Sequence, residues 1–256
     1  MPQVFNRGAN GLARMSLVIL GLVVTSLALT LNELQRSPYV TKQGERLEQP
    51  VPFSHQHHVA GLGLDCRYCH TSVENSSFAG IPPTKKTCMN CHSEIWTNAD
   101  LLEPVRASYR NGTPIWWTKL HDLPDFVYFN HEIHINKGIG CVSCHGPVDE
   151  MPLTYAHASL QMEWCLDCHR NPAKNIRPTG DPIFNLAWKG PNSDNPVYCE
   201  EGTGNCSLNG PYYQKTGQQM QHPREFFDQM SMGKYLVAQY HVRTPNEIQS
   251  CETCHR

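Results

Sequence analysis

The pattern Cys-x-x-Cys-His occurs five times, at Cys66, Cys69 and His70, at Cys88, Cys91 and His92, at Cys141, Cys144 and His145, at Cys165, Cys168 and His169, and at Cys251, Cys254 and His255. It absorbs ten of the twelve cysteines. Two thiols three positions apart can add to the two vinyl groups of one porphyrin, and the adjoining histidine then lies beneath the iron, so each copy reads as a c-type haem attachment site. A lone Cys-x-x-Cys would also suit a redox dithiol or half of a zinc site. Five copies do not, because zinc pairs two such units and needs no histidine after each. The expected cofactors are five haem c. A chain of 256 residues then has roughly 51 residues per haem, so the porphyrins must supply much of the buried apolar surface. An ordinary all-protein core is excluded, and the expected fold is mostly α and irregular, with little sheet.

Upstream of the first and third motifs stand Phe53-Ser54-His55-Gln56-His57-His58 and Phe129-Asn130-His131-Glu132-Ile133-His134, both Phe-x-His-x-x-His. From His55 to His131 and from His58 to His134 the displacement is 76 residues, from Cys66 to Cys141 it is 75, and from Cys88 to Cys165 it is 77. Four landmarks at a near-constant offset mark a duplicated two-haem module. Histidines at i and i+3 share a helix turn and can address two different irons, so His55, His58, His131 and His134 are the candidate distal ligands; His57 is left to solvent. Propionate binding or surface placement is the competing role. The fifth distal ligand stays open among His121, His241, His157 and His222, or Met151, Met162, Met230 and Met232, a methionine raising the potential of its haem.

From Leu12 to Leu31 runs the long apolar stretch, uncharged for 17 residues from Met15. That is just long enough to cross a bilayer. Arg7 and Arg14 precede it and no acidic residue does, so the positive-inside tendency puts the N-terminus in the cytoplasm and the haem region outside. A cleaved signal is the alternative, with Ser26-Leu27-Ala28 resembling a cleavage site; we read a retained single-span anchor. Cys199 and Cys206, in a polar, turn-rich stretch, are expected to form a disulfide, with two free buried thiols as the alternative. A net charge of -2 speaks against a nucleic-acid partner.

The expected organisation is a cytoplasmic N-terminus (1–11), a transmembrane anchor (12–32), a polar tether (33–50), the first two-haem module (51–100), a connector (101–126), the second module (127–175), an irregular excursion rich in Pro, Gly and Asn (176–222), and a C-terminal helix with the fifth haem site (223–256). Pro223 is expected to open a helix through Tyr240, with Phe226, Met230, Val237 and Tyr240 on its apolar face. Trp116 and Trp117 are expected to pack on haem faces or a partner subunit.

Iron with both axial positions filled by protein side chains exchanges electrons and binds no small substrate. The chain is therefore read as an electron carrier, with no catalytic residues of its own. The segments Pro52–His58, Leu64–His70, Ala79-Gly80-Ile81-Pro82-Pro83, Asp122–His131 and the terminal Cys254-His255-Arg256 resemble the pentahaem cytochrome c subunit of bacterial alternative complex III along nearly the whole chain, and its modules are similar to class III cytochromes. The resemblance implies a single-pass protein of the bacterial cytoplasmic membrane with its haem domain in the periplasm. It would work with polytopic quinol-binding subunits, an iron-sulfur protein and a monohaem cytochrome c. Electrons would pass to a cytochrome c, a copper protein or a terminal oxidase, in respiration or photosynthesis. The second reading is a tetrahaem-type quinol dehydrogenase feeding a periplasmic reductase.

Overall fold

The computed structural model describes residues 6, 8–80, 84, 87–213 and 216–255. Arg7, Ile81, Pro82, Pro83, Arg256 and residues 1–5 of the expected cytoplasmic segment lie outside the described residues. The chain divides into two compact units, Met1–Gln43 and Gly44–Arg256.

The first unit is a helix, α1 (Ala9–Arg36), with a four-residue helix, Pro38–Thr41, after it. No side chain of α1 is buried, and its apolar window has a mean hydropathy of 2.1. Twenty-eight residues at 1.5 Å each give about 42 Å, against roughly 30 Å of bilayer hydrocarbon. The helix overruns the expected span of 12–32 at both ends, because neighbouring polar residues keep helical hydrogen bonds outside an apolar layer as readily as inside it.

Residues 44–50 of the expected tether belong to the second unit. The Gln49 side chain donates to Thr118 O and accepts from Thr118 N–H, both at 3.0 Å, and the Thr118 hydroxyl donates to Glu48 O at 2.9 Å.

The second unit is short helices and loops around three small apolar clusters. Val51, Leu102 and Val105 form one, with Ile115 and Trp117 against it. Trp117 thus packs on protein, whereas Trp116 is 85% exposed. Val73, Ile135 and Ile183 form another, joined by Ala79, Cys141 and Phe184. The largest gathers Ile176, Val197, Cys199, Phe226, Met232 and Leu236. Clusters of this size match a chain whose cofactors complete the core.

The region 176–240 departs from expectation. A three-stranded antiparallel sheet in the order β2-β1-β3 is built from β1 (Val197–Glu200), β2 (Cys206–Ser207) and β3 (Pro223–Phe226). Its pairs include Val197 with Phe226 and Cys199 with Cys206. The expected helix therefore starts late, as Gln229–Gln239. Residues 223–226 pair with β1 instead, which buries Phe226, and the Asp228 carboxylate accepts from Ser231 N–H at 2.8 Å as N-cap.

Directly opposed Cys199 and Cys206 are joined by a disulfide. Closing a loop with a sequence separation of 7 stabilises by about 2 kcal/mol. Cys199→Ala/Cys206→Ala should lower denaturant stability by that amount. Ellman titration of the unfolded, unreduced protein should find no free thiol from Cys199 or Cys206.

Candidate haem centres

The two Phe-x-His-x-x-His segments repeat one another in atomic detail. Phe53 meets the His55 ring edge-on (4.9 Å, 87°) and stacks on His58 (4.4 Å, 23°); Phe129 does the same to His131 (4.7 Å, 88°) and His134 (4.5 Å, 25°). Position 54 caps one turn, its hydroxyl accepting from His57 N–H at 3.1 Å, and position 130 caps the other, its side chain accepting from Ile133 N–H at 3.3 Å. The second segment is an α-helix, α2 (His131–Asn136), as a histidine pair at i and i+3 leads one to expect. The first is instead a π-helix, Gln56–Gly61, wider by one residue per hydrogen bond. His57 is exposed, 6.2 Å from the Trp96 ring.

A carbonyl oxygen can only accept, so an imidazole Nδ1 bonded to one carries the proton and leaves the Nε2 lone pair free for a metal. His58 Nδ1 donates to Ser54 O (2.8 Å) and His134 Nδ1 to Asn130 O (2.7 Å). His131 donates to Ser77 O (3.0 Å), His70 to Ala79 O (3.2 Å), His92 to Ile95 O (3.2 Å), His169 to Ile248 O (2.8 Å) and His255 to Phe126 O (3.0 Å). His55 Nδ1 is 2.7 Å from the Thr154 hydroxyl. Thr154 falls in the expected second module and Ser77 in the expected first, so each repeat orients a histidine of the other.

The imidazoles also face one another in pairs. Ring centroids are 6.2 Å apart for His58 and His92, 6.3 Å for His131 and His145, and 6.3 Å for His134 and His169. Two metal–imidazole bonds of roughly 2.0 Å, with about 1.1 Å from each Nε2 to its ring centre, require about 6.2 Å. The residues therefore fit a six-coordinate iron between each pair. His55 falls to His70 by the repeat.

Burial, then the nearby His70 and His58, lowers the His55 pKa to about 4; burial, then His121, His131, His70 and His55, lowers that of His145 to about 3. Both rings are neutral at pH 7, as ligation demands. Burial likewise pushes the Cys141 thiol up to about 11 and the Cys144 thiol up to about 12, an environment for uncharged thioethers rather than zinc thiolates. Because these histidines titrate below their usual 6.5, the unfolded chain binds more protons between pH 6.5 and about 3, and stability falls as pH drops through that window. Loss of the low-spin Soret band on acidification below pH 6.5 is the expected result, checked by a spectrophotometric pH titration.

Among the described residues, the ring contact of His255 is with Phe126 and not with a candidate fifth distal ligand. His121 lies beside the third motif, 4.4 Å from the His145 ring, with its Nε2 buried and unpartnered. His241 is exposed, in the left-handed region at φ 50°. His157 and His222 are exposed, Met162 is exposed, Met230 is half-buried, Met151 is buried, and Met232 is locked in the largest apolar cluster. His255 stacks on Phe126 at 5.7 Å.

No family model matches the chain. The "Menaquinone reductase, multiheme cytochrome c subunit" of Nitratidesulfovibrio vulgaris is 33% identical, over 48% of this chain and 69% of the relative. This chain belongs to the multihaem cytochrome c family. The cytochrome's attachment motifs are plain in its sequence, whereas the groups that aim its imidazoles are not. Any residue carries a carbonyl, so Ser77, Ala79, Ile95, Phe126 and Ile248 give no signal in sequence as acceptors. Position 54 and Asn130, both good N-caps directly before a histidine pair, do.

Proposed function

We propose that this cytochrome carries five haem c and serves as the electron-transfer subunit of a membrane quinol oxidoreductase of the alternative complex III type. α1 would anchor it in a bacterial cytoplasmic membrane, with the haem unit on the periplasmic side. The observation that carries the reading is the set of imidazole pairs at 6.2–6.3 Å, five of whose six rings have Nδ1 tied to a carbonyl.

Bound haem c supplies one-electron redox chemistry. The chain's own residues do the holding. Ten cysteines in five motifs fix the porphyrins, His70, His92, His145, His169 and His255 serve as proximal ligands, and His55, His58, His131 and His134 serve as distal ligands. At the four centres with a distal histidine, side chains on both faces exclude a small substrate, and quinol chemistry is assigned to polytopic partner subunits. An iron-sulfur subunit, a monohaem cytochrome and a periplasmic acceptor complete the assembly.

The relative's name, a menaquinone reductase subunit, favours a second reading in which electrons run toward quinone. Purification in mild detergent with subunit identification by mass spectrometry tests both. Co-isolated polytopic and iron-sulfur subunits, with haem reduction on adding a quinol under anaerobic conditions, are the expected result. Oxidation of the pre-reduced complex by a menaquinone analogue, with no reduction by quinol, supports the second direction. A small complex with a soluble reductase supports the tetrahaem-type dehydrogenase. A polypeptide without covalent porphyrin overturns all three.

A further inference from the structure

Motifs that are neighbours in sequence are not all neighbours in space. The first and second motifs touch through their own loops, where Asn90 Nδ2 donates to the Tyr68 hydroxyl at 3.1 Å. The turn carrying His55 and His58 joins the same two, since His58 faces His92.

The third motif meets the first. Cys141 packs in one cluster with Val73 and Ala79, which follow the first motif. The short helix Asp181–Phe184 bridges the two motifs: Cys141 N–H donates to Ile183 O at 3.1 Å, the Arg67 guanidinium lies 4.4 Å above the Phe184 ring, and Arg67 pairs with Asp181 at 3.6 Å. The second motif, by contrast, packs through Cys88 and Met89 on the Val51, Leu102 and Val105 cluster.

α2 joins the third and fourth motifs, with His131 facing His145 and His134 facing His169. The fourth meets the fifth where His169 Nδ1 donates to Ile248 O, three residues before Cys251, at 2.8 Å. Tyr128 N–H, just ahead of α2, donates to Cys254 O at 2.8 Å.

We infer that the five haem centres stand in the spatial order second, first, third, fourth, fifth, so that the row ends at the second and fifth motifs. The inference rests on the ligand reading above. It places the first centre inside the row, and it makes the surfaces around Cys91 and Cys251, both exposed, the places where redox partners reach a terminal centre.

The test is electron paramagnetic resonance of the fully oxidised, full-length protein in detergent. The centres are assigned first: His55→Met, His58→Met, His131→Met and His134→Met should each replace one bis-histidine signal. Removing a paramagnetic haem then slows spin relaxation chiefly in its nearest neighbour, since dipolar coupling falls steeply with distance. Cys88→Ser/Cys91→Ser should slow the signal assigned by His55→Met at least twofold and leave that assigned by His131→Met unchanged. Cys66→Ser/Cys69→Ser, an independent variant should the former fail to load four haems, should slow the signals assigned by both His58→Met and His131→Met. Equal slowing of the first and third centres on loss of the second haem, or no effect on the third on loss of the first, would overturn the order. If the methionine variants replace no signal, the ligand assignment fails instead.

Discussion

Cys141→Ser/Cys144→Ser should yield a protein with four porphyrins by intact mass that no longer holds a protease-resistant haem unit. Cys141 belongs to the cluster of Val73, Ile135 and Ile183, and its N–H is tied to Ile183 O. Around it, Gly140 lies against the Arg177 guanidinium, whose Nη1 donates to Pro182 O at 3.1 Å and Asn185 O at 3.0 Å. Removing a porphyrin here would leave its volume unfilled between these elements. Burying a Leu-sized group is worth about 2 kcal/mol, and a porphyrin is several times larger, against a total stability of roughly 5–15 kcal/mol. Cys251→Ser/Cys254→Ser should also lose one porphyrin but stay protease-resistant upstream of residue 245, because Cys251 is exposed and belongs to none of the three apolar clusters. Equal resistance of the two variants to limited proteolysis would contradict the argument.

Gly233→Ala should lower stability by about 3 kcal/mol, at the upper end for overpacking. Gly233 lies in the helix Gln229–Gln239, between fully buried Met232 and buried Leu236. An added Cβ would run into the Ala173 carbonyl oxygen, with its carbonyl carbon at 2.7 Å and Cα at 2.9 Å. These are main-chain atoms and cannot rotate away. Helix propensity alone would favour alanine by about 1 kcal/mol, so the two effects have opposite signs and the clash wins. The displacement would also break the Gln229 amide bonds to Ala173 O (3.1 Å) and Ile176 O (2.7 Å). Ala173 follows the fourth motif by only a few residues, so a changed spectrum of that centre should accompany a lowered Tm. A variant as stable as the parent would show that this contact does not constrain the helix.

Much of this was legible in the sequence because the chemistry is local. A Cys-x-x-Cys-His carries its meaning within five residues, and the constant offset between His55 and His131 announced two turns that turn out to match to within 0.2 Å in their aromatic contacts. What was not legible is long-range. Pro223–Phe226 has no strand signature of its own and becomes a strand only because Val197–Glu200 lies alongside it. The N-cap at Asp228 was readable and would have started the helix in the right place. The duplicated sequence carried no sign that His55 is oriented by Thr154 and His131 by Ser77, since a repeat does not show how its copies close on each other. His121 looked like a free ligand in sequence; its neighbourhood with His145 is set by the connector's path.

Nearly all the groups that steer the imidazoles are main-chain oxygens. A side-chain replacement at Ile95 or Ile248 leaves the steering atom in place, because every amino acid brings the same one. The aim of the rings is thus insulated from point mutation and from titration alike, and is vulnerable only to events that reroute the backbone, such as insertions, deletions or a proline. The loops between the motifs should therefore tolerate drift in composition far better than drift in length.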